Sequence, residues 1–257
     1  MFDTHVNLHG ETYEEDLEDV LERARAAGVR RFLAICDRLD NFEAVSAITK
    51  QNDDMWCSVG VHPHHSKDFS NLATAELVQK ASDLNVVAIG ETGLDFHYGY
   101  SSEKEQVASL LKHIDAARET GLPLIVHTRE ADELMGDILE DETAKAPFTP
   151  LLHCYTGGRR LAERAAALGA YFSVSGIASF KNAKDVHDVV RSLPQERVIL
   201  ETDCPYLTPA PFRGRRNEPA YLVHVCEAYA ALIEKSAGDV ARITEANALR
   251  LFSKIAQ

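Results

Sequence analysis

Short runs of aliphatic and β-branched residues alternate along the chain with longer stretches whose apolar positions recur at helical spacing. The strand-like runs are Met1–Leu8, Arg31–Cys36, Trp56–Val61, Val86–Gly90, Pro123–His127, Thr149–His153, Ala170–Val174 and Val198–Thr202. Near-continuous apolar runs of this length are the mark of parallel strands buried on both faces. Among the helical stretches, Tyr13–Ala27 places Leu17, Val20, Leu21 and Ala24 on one face, and Glu103–Thr120 does the same with Val107, Leu110, Leu111 and Ile114. Each stops at a glycine, Gly28 and Gly121, and Leu161–Leu168 before Gly169 repeats the pattern. Eight strands over this length leave roughly 32 residues per strand–helix unit, which suits a closed (β/α)8 barrel of the TIM type. The expectation is one domain over residues 1–257. A doubly wound open sheet is the rival, but it would gather its site at one switch point served by a few strands. Here polar residues follow nearly every strand, which favours the barrel.

Composition narrows the function. Hydrophobic residues make up 45% and charged residues 26%, an ordinary globular balance. The formal net charge of -13 excludes simple electrostatic attraction of the whole molecule to nucleic acid or to an anionic membrane. A phosphate-bearing substrate would need a local basic patch or bound cations. The five cysteines are odd in number and form no C-x-x-C, so they read as free thiols of a reducing, cytoplasmic compartment. No basic, apolar leader precedes the first strand, and no apolar run approaches the ~18 residues of a membrane span. Nothing marks an obligate protein partner.

The chemistry collects at the strand ends. Asp3, His5 and Asn7 alternate on one face of the first strand. His62 ends the third, Glu91 and Asp95 the fourth, His127 the fifth, His153 the sixth, and Glu201 and Asp203 the eighth. Closing a barrel brings all these C-terminal ends to one rim, where barrel enzymes keep their sites. Alone, a histidine there is usually packed and an aspartate usually caps a helix. Together, uncompensated, they would repel one another and bury charge at high cost. A divalent metal resolves that conflict.

These residues carry a resemblance. The stretches Phe2-Asp3-Thr4-His5, Gly60-Val61-His62-Pro63-His64 and Ile89-Gly90-Glu91-Thr92-Gly93-Leu94-Asp95 resemble the TatD family of metal-dependent deoxyribonucleases, within the amidohydrolase-like barrels. So do Leu122-Pro123-Leu124-Ile125-Val126-His127-Thr128-Arg129-Glu130-Ala131, His153-Cys154-Tyr155-Thr156-Gly157, Glu201-Thr202-Asp203-Cys204-Pro205-Tyr206-Leu207 and Arg213-Gly214-Arg215-Arg216-Asn217-Glu218-Pro219. The resemblance spans almost the whole chain, in order. It implies one or two divalent ions (Mg²⁺, Mn²⁺ or Zn²⁺) sharing Glu91. His5, Asn7 and Asp203 would serve one; His127 and His153 would serve the other. It further implies a hydrolase of DNA phosphodiesters, often acting from the 3′ end of single strands. Two departures stand out. The usual first motif is His-x-His, where this chain has His5-Val6-Asn7. An aromatic pair and an arginine are common after Gly93-Leu94-Asp95, where this chain has Phe96-His97-Tyr98.

The chemistry supports the same assignment. Phosphodiester hydrolysis needs an activated water, charge neutralisation on the phosphate and leaving-group support, all of which divalent ions supply. Asp203 is the candidate base as well as a metal ligand. Glu201, two residues back on the same face, is placed to orient water or a ligand. His62 and Asp95 are candidate substrate contacts. Arg213 and Arg216, with Arg215, form the clearest basic cluster of an acidic chain and suit phosphate docking. Cys154 and Cys204 should point away from the site on their strands. Two other functions compete. A hydrolase of C–N or ester bonds would favour a metal-bridging lysine on the fourth strand, where Glu91 stands instead. A non-catalytic binding protein would explain Asn7 but not the retention of Glu91, His127, His153 and Asp203.

Overall fold

The computed structural model describes residues 1–256. Eight parallel strands pair in sequence order: β1 (Phe2–Val6), β2 (Arg31–Ala34), β3 (Met55–Val59), β4 (Val86–Asp95), β5 (Leu124–Arg129), β6 (Pro150–Leu152), β7 (Tyr171–Val174) and β8 (Val198–Leu200). Contacts just past β8 close the ring. Val6 bridges Cys204 in parallel, Asp203 N donates to His5 O at 3.1 Å, and Asn7 N donates to Cys204 O at 3.0 Å. The Thr4 hydroxyl adds a bond to Leu200 O at 2.9 Å. The expected (β/α)8 barrel is therefore present.

The outer layer comprises α1 (Leu17–Ala26), α2 (Phe42–Lys50), α3 (Thr74–Ala81), α4 (Glu103–Thr120), α5 (Asp132–Lys145), α6 (Arg159–Ala167), α7 (Lys184–Val190), α8 (Leu222–Leu232) and α9 (Ala237–Leu251). The bounds of α4 match the sequence reading because both ends are specified locally. Ser102 and Glu105 form a capping box, and Gly121 takes φ +69° at the stop. By contrast, α1 begins at Leu17 rather than Tyr13. Tyr13 is fully buried, with its hydroxyl donating to Asn217 O, so a tertiary contact overrides the helical periodicity there.

Two cores result. The larger lies between strands and helices. The smaller fills the barrel interior with Phe2, Leu33, Ile35, Val87, Ile125, Leu151, Tyr171 and Ile199. It is closed from below by Leu251 and Phe252, and the Phe252 ring lies 5.9 Å from that of Phe2.

Strands β4 and β5 run past the ends their apolar runs suggest, to Asp95 and Arg129. Their ladder continues through Gly93 opposite His127 and Asp95 opposite Arg129. Gly93 makes this possible: at φ +144° it suits glycine, and a β-carbon there would collide with the His127 backbone. All five cysteines are unpaired thiols. Among the described residues, no helix is long and apolar enough to cross a membrane.

Candidate metal centre

Glu91 is the hub of the barrel mouth. It is 4% exposed, and imidazoles from four strand ends surround its carboxylate. Oε1 lies 2.7 Å from His153 Nε2, 3.1 Å from His127 Nδ1 and 3.4 Å from His62 Nε2. Oε2 lies 3.3 Å from His5 Nε2. The extended β4 lifts Glu91 into this ring. Burial by itself would raise its pKa, but the fields of His153, His62 and His5 and the bond from His127 hold it well below the usual carboxylate range.

Two of the flanking histidines have a carboxylate behind them. His127 Nε2 lies 3.0 Å from Asp95 Oδ2, so its Nδ1 faces Glu91. His153 Nδ1 lies 3.5 Å from Glu201 Oε1, within ion-pair reach but without a hydrogen bond, while its Nε2 faces Glu91. The Asp95 bond fixes the tautomer and orientation of His127, as carboxylates do behind metal-bound histidines. His153 is pushed above the ordinary histidine range: burial opposes its charge, but Glu91 and Glu201 outweigh that. Burial instead pushes His62 well below that range, although Glu91 opposes the fall. The rings of His5 and His153 stack at 4.2 Å.

Asp203 sits at the lip, with its Oδ1 3.6 Å from His5 Nε2. Burial pushes its pKa up to about 6, and Glu201 and Glu91 add to the rise.

The donor set fits a divalent ion. Two groups have ligand atoms all within 4.8 Å of one another: His5, Glu91 and His153, and His62, Glu91 and His127. Both include Glu91. His5 Nδ1 and Nε2, His153 Nδ1 and both Glu201 carboxylate oxygens are buried without a hydrogen-bond partner. Buried polar atoms seldom remain unsatisfied, and imidazole with carboxylate suits zinc-like ions and Mn²⁺.

Some sequence-based placements differ. His62, read as a substrate contact, stands inside the ligand cluster; the Gly60-Val61-His62 strand end was the available signal. Asp95 is 1% exposed and fully engaged. Its Oδ2 is shared by His64 and His127, and its Oδ1 accepts from His97 N and Tyr98 N. It therefore faces protein rather than substrate.

The polar residues of the first strand also take different partners, and its register with β2 shifts between Asp3 and Val6. Asp3 turns to Thr202, accepting from its N at 2.9 Å and its hydroxyl at 2.6 Å. Asn7 donates its amide nitrogen to Cys204 O at 3.2 Å, which leaves its amide oxygen as the only donor atom it could offer a metal.

The arginine loop splits. Arg216 is an ion-pair partner of Asp16, with Nη1 at 2.8 Å, and lies over the Tyr13 ring. Arg213 is exposed, stacks on Phe180 and lines a surface cleft with Lys181 and Asn182. Cys204 is buried as expected, but Cys154 is not turned away. Its φ of +43° breaks the strand alternation, and Asp203, Glu201 and Glu91 add to the effect of burial in raising its thiol pKa.

Known proteins agree with this architecture. Residues 2–253 match the family described as TatD related DNase. The metal-dependent hydrolase YabD of Bacillus subtilis is 38% identical, over 98% of each chain. The 3′-5′ ssDNA/RNA exonuclease TatD of Erwinia tasmaniensis is 36% identical, over 98% of this chain and 100% of that one. The crystal structure of the TatD homologue YjjV from Escherichia coli superposes with a TM-score of 0.91 at 27% identity, covering 98% of each chain. A barrel of parallel strands with Glu91 encircled by histidines, matched along nearly its full length, places this chain in the TatD-related DNase family of metal-dependent hydrolases.

Proposed function

We propose that this protein is a metal-dependent exonuclease that hydrolyses phosphodiester bonds of single-stranded DNA, removing nucleotides from the 3′ end. The observation that carries the reading is Glu91, one carboxylate common to two clusters of metal-ligating side chains. It is supported by a relative named a 3′-5′ ssDNA/RNA exonuclease, matched over 98% of this chain and 100% of that one.

Glu91 would be shared between ions. His5, Asp203 and the free amide oxygen of Asn7 would hold one and His127 and His62 the other, with His153 in reach of both. Bound divalent ions would neutralise charge on the scissile phosphate and make the attacking water more acidic. Mn²⁺ or Zn²⁺ suits the imidazole-rich side, and Mg²⁺ or Mn²⁺ suits the side where Asn7 replaces a histidine.

The chain's own groups supply the rest. Asp203, at the lip beside His5, is the group placed to take a proton from the attacking water. Asp95 keeps the His127 ring turned toward Glu91, and Glu201 places a negative charge behind His153. Arg213, exposed and without an ion pair among the described residues, is free to meet substrate phosphate. Arg216 is committed to Asp16 and anchors the loop that carries Arg213.

The test is digestion of a 5′-labelled single-stranded oligonucleotide with Mg²⁺, Mn²⁺ or Zn²⁺ in turn. A ladder shortened from the 3′ end, abolished by chelation, is expected. Intact DNA with every metal, alongside cleavage of an N-acyl substrate, would overturn the reading.

A further inference from the structure

Four large hydrophobic side chains are strongly exposed among the described residues: Leu84, Tyr98, Tyr100 and Tyr206. Three are tyrosines on loops at the barrel mouth, two after β4 and one after β8. Apolar exposure is therefore concentrated where substrate must arrive. Tyr98 and Tyr100 also form a defined object. Their rings are parallel within 1°, with centroids 5.4 Å apart, yet they remain 49% and 54% exposed. The His64 ring stands edge-on against both, at 5.2 and 4.9 Å. The Arg129 guanidinium lies over Tyr98 at 4.9 Å. Arg129 also lines a cleft of about 640 Å³ with Phe96, Thr128 and Gly157. The neighbouring Glu130 is taken by His97 at 2.6 Å.

The pair is fixed in place from the metal centre outward. Asp95 Oδ1 accepts from Tyr98 N at 3.2 Å, while Oδ2 binds both His64 and His127 at 3.0 Å. The far end of the loop is tied by Ser101, whose hydroxyl donates to His64 O at 3.1 Å, and by Gln106, which donates to Asp95 O and Ser101 O. One buried carboxylate thus sets the position of both the tyrosines and a metal-centre histidine. Rigid, exposed, parallel aromatic rings are the surfaces on which unpaired nucleobases stack, and an arginine beside them serves the backbone.

Resting on the nuclease reading, we propose that Tyr98 and Tyr100 form a stacking platform for the bases of a single strand whose phosphate enters the metal centre. A molecule of net charge -13 gains little from long-range attraction of phosphates, so stacking carries the affinity. Duplex ends, whose bases are already stacked and paired, are then poor ligands.

The test compares two probes, a fluorescent dT12 and an abasic 12-mer of the same backbone, by anisotropy without added metal. Wild type should bind dT12 more tightly by about tenfold or more, the scale of one to two stacked bases. Y98A/Y100A should reduce that preference to within about twofold, and Y98F/Y100F should keep it. Loss of a merely structural contact would weaken both probes equally. Equal binding of both probes by wild type, or a preference that survives in Y98A/Y100A, sinks the platform. If dT12 is still shortened from its 3′ end in that case, the nuclease reading stands without it. If wild type shortens no oligonucleotide with any of the three metals, the nuclease reading falls and takes the platform with it.

Discussion

The two ends of the barrel interior are built from the same strands and do opposite things. At the floor, Ile125, Leu151 and Ile199 pack against Phe2, Leu33 and Tyr171 above the plug made by Leu251 and Phe252. Two residues further along, on the same face by strand periodicity, Ile125 gives way to His127, Leu151 to His153 and Ile199 to Glu201. The floor removes apolar surface from water, which stabilises by roughly 1.5–3 kcal/mol for each fully buried aliphatic side chain. The mouth instead holds buried donors and acceptors without partners and carboxylates crowded among imidazoles. One step of the pleat separates the part that holds the molecule together from the part that needs a ligand to be at rest. Stability and chemistry can therefore be perturbed separately, and the contrast can be broken at either end.

The largest effect is expected at the mouth. Glu91→Ala should abolish hydrolysis, a loss of at least about a thousandfold, because it removes the one donor common to both clusters. It should also remove the rise in melting temperature that Mn²⁺ is expected to give wild type. Activity within about tenfold of wild type would show that the hub is elsewhere.

At the floor, Ile125→Ala should cost about 2–5 kcal/mol in a urea melt by leaving a cavity. It should leave metal content per folded molecule unchanged. Metal loss in step with stability would mean that the two ends are not separable.

His113 sharpens the contrast between histidines. On α4, outside the mouth, it is fully buried with no carboxylate behind it. Its Nδ1 lies 2.8 Å from Ser109 O, and its Nε2 accepts from Val61 N at 3.0 Å. Burial lowers its pKa from 6.5 to about 4. The neutral form is favoured in the folded state, so its contribution is fully present above pH ~6.5 and is lost as pH falls toward 4. The loss approaches about 3 kcal/mol at the acid end. His113→Gln should flatten that part of the stability–pH curve. An unchanged acid limb would assign the sensitivity to other groups.

Glu201→Gln should have the smallest effect of the four. With His153 no longer held by a charge, Mn²⁺ affinity should fall by about 10- to 100-fold. Turnover should recover at saturating metal. Titration calorimetry showing wild-type affinity would reduce Glu201 to a filler of the interior.

Much of this arrangement was legible before the structure. The strands announced themselves because parallel strands buried on both faces need apolar residues at every position. His5, Glu91, His127, His153 and Asp203 were legible because barrel closure gathers strand ends at one rim. The remainder depended on partners distant in sequence. Arg216 reads locally as a free phosphate contact until Asp16 appears beside it, 200 residues away in the chain. Asp95 reads as substrate-facing because nothing in its own segment shows that His64 and His127 converge on it. The apolar runs also undershot β4, since its ladder continues through Thr92, Gly93 and Asp95, which break the apolar run.

The central claim is that one carboxylate, Glu91, is shared by two metal positions at the barrel mouth. Anomalous diffraction from crystals equilibrated with Mn²⁺ tests it directly. The account predicts two peaks, each within bonding distance of a Glu91 carboxylate oxygen, one on the His5 side and one on the His127 side. Peaks that avoid Glu91, or a mouth left without any at saturating Mn²⁺, would contradict it.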